Sequence, residues 1–281
     1  LGVALTLMKQ DRAKLVVDVF DRLNDAMVML VHVAMGLAPY GVAALLFKVV
    51  GSTGLSVLAA LGVYGLVVVV GLLMHVFITY GTVVRVGARL PVFKFLGAIK
   101  EALLVAFSTS SSSATLPVTK EACEDNVNIS PKITSFVLPL GATVNMDGTA
   151  LYQGVAAIFI AQIYGMDLSI TDQATIVLSA TLASVGAAGV PGAGMITLAM
   201  VLTAVGVPTE GLALILGVDR LLDMFRTTTN VVGDSTACAL MARLEGESLK
   251  IMSDKEDAND PSRGFEGRLA AGPAPVVVED D

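Results

Sequence analysis

The chain is poor in charge. Only 15% of its 281 residues are Asp, Glu, Lys or Arg, against 54% hydrophobic. A soluble globular domain carries about 25% charged residues, so water is excluded as the only solvent. Cysteine is scarce too. Cys123 and Cys238 stand far apart in unlike sequence contexts, which excludes a disulfide framework or a spaced metal-ligand set and leaves two free thiols. The only histidines are His32 and His75, and no GxSxG surrounds the serines. A membrane-embedded hydrolase would need a base beside its nucleophile, so that class is disfavoured. The opening LGVALTLMKQ lacks the basic n-region of a signal peptide. It reads as the end of a membrane helix, with the chain beginning mid-protein.

What is present is long apolar sequence. A membrane-spanning helix needs about 20 predominantly apolar residues. Ala26 to Val50, Leu55 to Val84 and the interrupted Ile133 to Tyr164 all approach that length. The expectation is an all-α polytopic membrane protein. Cytoplasmic loops are enriched in Lys and Arg, and one sidedness fits nearly all the basic residues. The segments before 23, from 85 to 94, from 119 to 132 and after 241 then face the cytoplasm. Between them, the stretch around STSSSSATLP and the stretch 171–207, broken at VGAAGVPGAG, are too short to cross and return as separate spans. Both read as re-entrant helical hairpins with small-residue tips. Irregular backbone at membrane depth is tolerated where it lines a cavity or is buried in protein, and paired broken segments point to a transporter's binding site. The polar, aperiodic stretch from 243 to 281 reads as a disordered cytoplasmic tail.

Charge is concentrated in one place, DRLLDMFRTTTNVVGD. On a helix of about 100° per residue, Asp219, Asp223, Arg226, Asn230 and Asp234 form one polar stripe, with Arg220 to one side. Between Lys132 and Arg243 the only basic residues are Arg220 and Arg226. An arginine at the bilayer centre costs around 2.5–3.5 kcal/mol or more. Arg226 either pairs internally with Asp219 or Asp223, holding helices together, or offers its planar fork to a carboxylate ligand.

A second polar island, NMDGT from Asn145 to Thr149, interrupts an apolar span. It is either a kink with an incidental polar residue or an unwound turn. In the second case its carbonyls, Asn145 and Asp147 would supply the oxygen ligands that hard cations prefer. Ser110 to Ser113 and the stretch from Gly186 to Gly194 are the two hairpin tips. In the second, glycines allow close backbone approach and the following helix start favours an anion. A channel would also line a pore with polar stripes, but a buried arginine would repel cations in it.

SSSSATLPVT, LPLGATVNMDGTALYQ, SVGAAGVPGAG and DMFRTTTNVVGD, in that order, closely resemble the dicarboxylate/amino acid:cation symporter family, the glutamate and aspartate transporters and their relatives. The resemblance covers about residues 1–245. It implies the glutamate-transporter fold of eight transmembrane helices and two re-entrant hairpins, assembled as a homotrimer in the cell membrane with a cytoplasmic C-terminus. This chain resembles its later part, with some ligands of a third sodium site among the helices before it.

The implied layout is the end of a preceding helix and a loop at 1–14, a scaffold and trimerisation helix at 15–46, and a transport domain at 47–240. Within the last fall hairpin 1 at 91–118, a broken helix at 130–165, hairpin 2 at 171–207 and a final helix at 210–242. The implied function is sodium- or proton-coupled uptake of glutamate or aspartate by an elevator-type movement. A C4-dicarboxylate symporter is the alternative, and neither an enzyme nor a nucleic-acid partner is expected.

By position, Arg226 is similar to the arginine that holds the substrate's side-chain carboxylate, with Thr149 beside it. Asp223 matches the aspartate that takes the amino group, assisted by Thr227. Asn230 and the amides around Ser111, Ser112, Val190 and Gly194 match the groups that hold the α-carboxylate. For co-transported sodium, Gly141, Asn145, Asn230 and Asp234 resemble one site, and Asn145 with Asp147 part of another. Carbonyls of Thr143, Met146, Ser184, Val185 and Ala187 resemble a third. Relatives carry an extra arginine at the position of Ser110 or of Met224, and this chain has neither.

Overall fold

The structure, a computed structural model, describes residues 8, 10–53 and 56–251, and every described regular element is helical. The chain divides into two compact units, Leu1–Leu58 and Ala59–Asp281. The first is dominated by a single 44-residue helix, α1 (Gln10–Thr53). It is longer at both ends than the 15–46 expected for the scaffold helix. Its outward apolar side chains include Leu15, Phe20, Leu30, Leu37 and Phe47. The expected end of a preceding helix lies mostly outside the described residues.

The second unit begins within α2 (Ser56–Met74), which continues through π-helical turns at His75–Tyr80 and Val83–Gly87. Among the described residues one helix, Ala59–Gly87, is long and apolar enough to cross a membrane; its most apolar stretch has mean hydropathy 2.4. Next come α3 (Val92–Ala98), α4 (Lys100–Thr109) and α5 (Ser112–Glu121), the last running into a π turn at Ala122–Asn126. A helix pair follows, α6 (Pro131–Val144) and α7 (Asp147–Ile163), then another, α8 (Ile170–Val185) and α9 (Ala193–Ala204). The long α10 (Leu212–Leu244) closes the order.

Local chemistry explains the breaks. α4 stops where Ser110 turns left-handed at φ 53°, and Ser111 then caps α5 by accepting from the Ala114 amide at 3.1 Å. The α6–α7 break falls on Asn145 and Met146, whose backbones leave the helical region. α8 starts with a capping box between Ser169 and Asp172. α9 starts at Gly192, whose φ of 78° favours glycine.

Two main apolar cores form among the described residues, beside a small third at Ala102, Ala106 and Val231. One joins α2, α7, α8, α9 and α10 through Tyr64, Leu72, Ile160, Ile176, Leu198 and Ile215. The other gathers α3, the end of α5, α6 and α10 through Phe95, Ile99, Ile133 and Leu138. α10 packs against α4, α5, α6 and α7, so its polar stripe is enclosed. The second core also holds Cys123 and Cys238, both free. Their sequence contexts differ, yet the fold puts them in one cluster.

Residues 243–251, expected to open a disordered tail, belong to the folded unit. α10 runs to Leu244, and Glu247 accepts from the Ser130 amide at 3.1 Å and from its hydroxyl. Leu249 and Ile251 pack on the second core. The rest of that tail, 252–281, lies outside the described residues.

Candidate functional site

The five residues of the α10 stripe are all buried. Arg226 is 1% exposed, and its guanidinium is held on three sides. Nη1 donates to Asp219 Oδ1 at 3.1 Å, Nη2 to Asp223 Oδ1 at 2.7 Å, and the fork lies 3.8 Å over the Tyr152 ring. The internal pair allowed by the sequence is therefore formed, with both acids at once. Nε remains buried without a partner among the described residues. Two carboxylates and one guanidinium leave the cluster one negative charge in excess.

The turn between α8 and α9 closes over this cluster. The Gly192 amide donates to Asp223 Oδ2 at 2.9 Å. A Cβ on Gly194 would stand 3.2 Å from Arg226 Nη1 and from Thr149 Cγ2, so a larger residue there would press both side chains back by a few tenths of an ångström. Gln153 on α7 donates to the Gly194 carbonyl at 3.1 Å. The α4–α5 and α8–α9 tips also meet each other, because the Gly189 carbonyl accepts from Ser111 Oγ at 2.7 Å and from the Ser113 amide at 3.2 Å.

Under the tips lies a narrow polar cleft of about 10 Å³, room for no more than a single water. Its walls include Ser110, Ser112, Thr149, Val190, Gly194, Asp223, Thr227 and Asn230, which brings together most of the residues expected to bind substrate. Ser111 sits just outside the wall, engaged in its cap and its bond to Gly189. Arg226 does not line the cleft; Gly194 and its acids screen it. Ser110 Oγ is buried there with no partner among the described residues.

A second polar group lies along the same face. Asn145 Nδ2 donates to Asp234 Oδ1 at 3.0 Å and to the Asn230 carbonyl at 3.3 Å. Gly141 presses on Asp234 so closely that a Cβ would stand 2.6 Å from Oδ1. Gly141, Asn145, Asn230 and Asp234 thus form one cluster. Asp147 is next to it, since the Gly148 amide donates both to Asp147 Oδ1 at 3.0 Å and to Asn230 Oδ1 at 2.9 Å. Asp147 Oδ2 also meets His75 Nε2 at 2.5 Å and the Tyr80 hydroxyl.

The residues of the expected third sodium site are less gathered. Met146 and Ala187 share the cleft wall, and Ser184 is buried. The Ser184 carbonyl is taken by the Gly186 and Ala187 amides. Thr143 bonds back to its own helix at 2.9 Å, and Val185 is exposed.

Five participants had no ligand-binding role assigned from sequence. Asp219 was visible in the stripe. Tyr152 and Gln153 stand three and four residues beyond Thr149, on its face of α7, which is a usable signal. His75 and Tyr80 carried none, because residues five apart point about 140° apart on an α-helix. The π turn there, with its i→i+5 bonding, brings both onto Asp147.

Residues 1–244 match the sodium:dicarboxylate symporter family. Excitatory amino acid transporter 2 of Homo sapiens is 44% identical over 261 residues, covering 92% of this chain and 45% of the relative. Excitatory amino acid transporter 1 of Ambystoma tigrinum is 44% identical over 251 residues, 89% of this chain and 46% of the relative. A putative sodium-dependent excitatory amino acid transporter of Caenorhabditis elegans is 51% identical over 197 residues, 70% of this chain and 40% of the relative. The chain spans less than half the length of these relatives.

Proposed function

The chain belongs to the sodium:dicarboxylate symporter family, and from that premise we propose that it forms the substrate- and cation-handling part of a sodium-coupled symporter for acidic amino acids. The observation that carries this reading is the Asp219–Arg226–Asp223 clamp, sealed by Gly192 and Gly194 beneath the hairpin tips. A buried guanidinium needs anions around it, and here two acids of the chain hold it while the tips are closed. When the tip of α8–α9 lifts, Asp223 loses the Gly192 amide and Arg226 is uncovered. An acidic amino acid then replaces both partners at once. Its side-chain carboxylate takes the Arg226 fork, with Thr149 alongside, and its ammonium takes Asp223, with Thr227. The α-carboxylate goes to Asn230 and the tip amides around Ser111, Ser112, Val190 and Gly194.

Charge favours this substrate over a plain C4-dicarboxylate. The clamp already carries an excess negative charge, so a dianion without an ammonium would leave Asp223 facing it unpaired.

Sodium is the second cargo. Asp234 with Gly141, Asn145 and Asn230 offers one oxygen-rich site, and Asn145 with Asp147 the described part of another. Carbonyls of Thr143, Met146, Ser184, Val185 and Ala187 would complete a third once the tip of α8–α9 rearranges. Each cation cancels a buried negative charge near the ligand, so sodium binding and substrate binding reinforce each other. The α4–α5 and α8–α9 pairs act as re-entrant hairpins in the glutamate-transporter fold. Residues 47–240 move as one body past a scaffold that includes the 15–46 helix, within a homotrimer in the plasma membrane whose C-terminus is cytoplasmic.

The deciding experiment is uptake of labelled aspartate and glutamate into proteoliposomes of the full-length protein, under imposed sodium or proton gradients. Sodium-driven accumulation that succinate fails to compete is the expected result. Succinate uptake, or cation current without substrate, would overturn the reading.

A further inference from the structure

Behind the site, on the far side of α10, runs a groove of about 190 Å³ between α2, α3, α4 and α10. We propose that it is a binding site for one acyl chain of a bilayer phospholipid. The proposal rests on the membrane reading above. The walls are apolar: Val76 and Phe77 from the π turn of α2, Leu96 and Leu103 from α3 and α4, and Phe225 from α10. The lining hydroxyls of Thr228 and Thr229 donate back to the carbonyls of Met224 and Phe225 at 2.8 and 3.0 Å. Their donors are therefore used within the helix, and the groove offers no free hydroxyl donor to a polar guest. Water is held only where a cavity supplies two to four polar partners.

The occupant follows from where the groove opens. One wall is the helix Ala59–Gly87, long and apolar enough to cross a membrane. Leu73 and Phe77 line the groove while remaining about half exposed, and they continue outward into the exposed Leu66, Val67 and Val70 of the same helix. Phe77 also meets the exposed Phe93, with ring centroids 6.1 Å apart. The mouth is thus continuous with the surface that faces lipid tails. Tails are as apolar as leucine, and an empty groove would forfeit dispersion contacts on every wall, so a tail entering it meets no opposing cost of desolvation.

Position makes this more than a coating of the surface. Phe225 and Thr229 directly precede Arg226 and Asn230 on α10, and Val76 and Phe77 lie between His75 and Tyr80, the two side chains on Asp147. A chain in the groove therefore braces the backs of the turns that carry both the clamp and the cation ligands.

The test uses the full-length protein in nanodiscs containing a phosphatidylcholine with a photoreactive diazirine near the end of one acyl chain. After irradiation, mass spectrometry should find labels on Leu96, Leu103 and Phe225. Filling the groove by Leu96→Trp should cut that labelling by about threefold or more, with labels on Leu66 and Val67 unchanged. Leu103→Phe gives a milder filling should the tryptophan prevent folding. Groove labels no higher than those of a detergent-solubilised, lipid-free control overturn the proposal. So do labels that persist in both filled variants, or crosslinks joining the groove to another stretch of the protein. The readout needs neither substrate nor sodium, so its failure is separable from a failure of the transport reading.

Discussion

The two ends of the α10 stripe solve the problem of buried charge in different ways. At Asp219, Asp223 and Arg226 the chain supplies both signs, and the guanidinium satisfies two carboxylates at 3.1 and 2.7 Å. At Asp234 no described cationic side chain is in reach, and the Asn145 side-chain amide donates to it at 3.0 Å. Asp147, beside it, has a histidine and a tyrosine. A buried carboxylate is costly unless paired or bound to a cation. The first end therefore already holds a cation, which both of its carboxylates share, while the second has no described cation beside Asp234. Under the proposed function, recognition of an acidic amino acid falls to the end that exchanges, and sodium coupling to the end without a cation.

The strongest way to break this division is Arg226→Cys. Removing one partner of a buried ion pair costs roughly 3–5 kcal/mol, which is about 10²–10⁴-fold where it falls on binding. Labelled aspartate and glutamate uptake should fall to background. Neutral amino acid binding should be kept or gained, because Asp223 can still take an ammonium. Aspartate uptake at the level of the unaltered protein would show that the clamp is structural only.

Asp234→Asn attacks the other end. The sodium concentration for half-maximal uptake should rise by about tenfold or more, equivalent to roughly 1.4 kcal/mol, with the acidic-over-neutral preference intact. A sodium titration that does not move would remove Asp234 from the cation site. Gly141→Ala is the gentler version. Its Cβ would stand 2.6 Å from Asp234 Oδ1, so the carboxylate must turn away. A shift in sodium dependence in the same direction, but only severalfold, is expected.

Much of this division was legible in the sequence, because both α10 and the α6–α7 break follow periodic rules. The stripe Asp219, Asp223, Arg226, Asn230, Asp234 shares one helix face by arithmetic alone, and every member is buried. The helix expected at 210–242 is found at Leu212–Leu244, and the break expected at NMDGT falls on Asn145 and Met146. What the sequence could not tell was which partner a charged group chooses. Arg226 had two open readings, and the choice between them depends on how close Gly192 and Gly194 bring the neighbouring chain. Nor could it place His75 and Tyr80 together, because that depends on a local change of helix type. The meeting of Cys123 with Cys238 in one core is a long-range consequence of α10 packing beside the end of α5, invisible to any spacing rule.

The smallest effect is expected from Ser111→Ala, and it tests whether the tips belong to one end or serve both. Ser111 Oγ donates to the Gly189 carbonyl at 2.7 Å and caps α5 by accepting from the Ala114 amide at 3.1 Å. Alanine removes both bonds, but the Gly189 carbonyl keeps the Ser113 amide at 3.2 Å. The loss is therefore that of a cap plus one replaceable hydrogen bond, about 1–2 kcal/mol. Because the tips close over Asp223 and Arg226, the loss should appear as a rise of severalfold in the substrate concentration for half-maximal uptake. The sodium titration at saturating substrate should stay within error of the unaltered protein. A parallel shift in both titrations would mean that the tip-to-tip bond also sets the geometry around Asp234, and the separation between an exchanging end and a cation-requiring end would have to be given up.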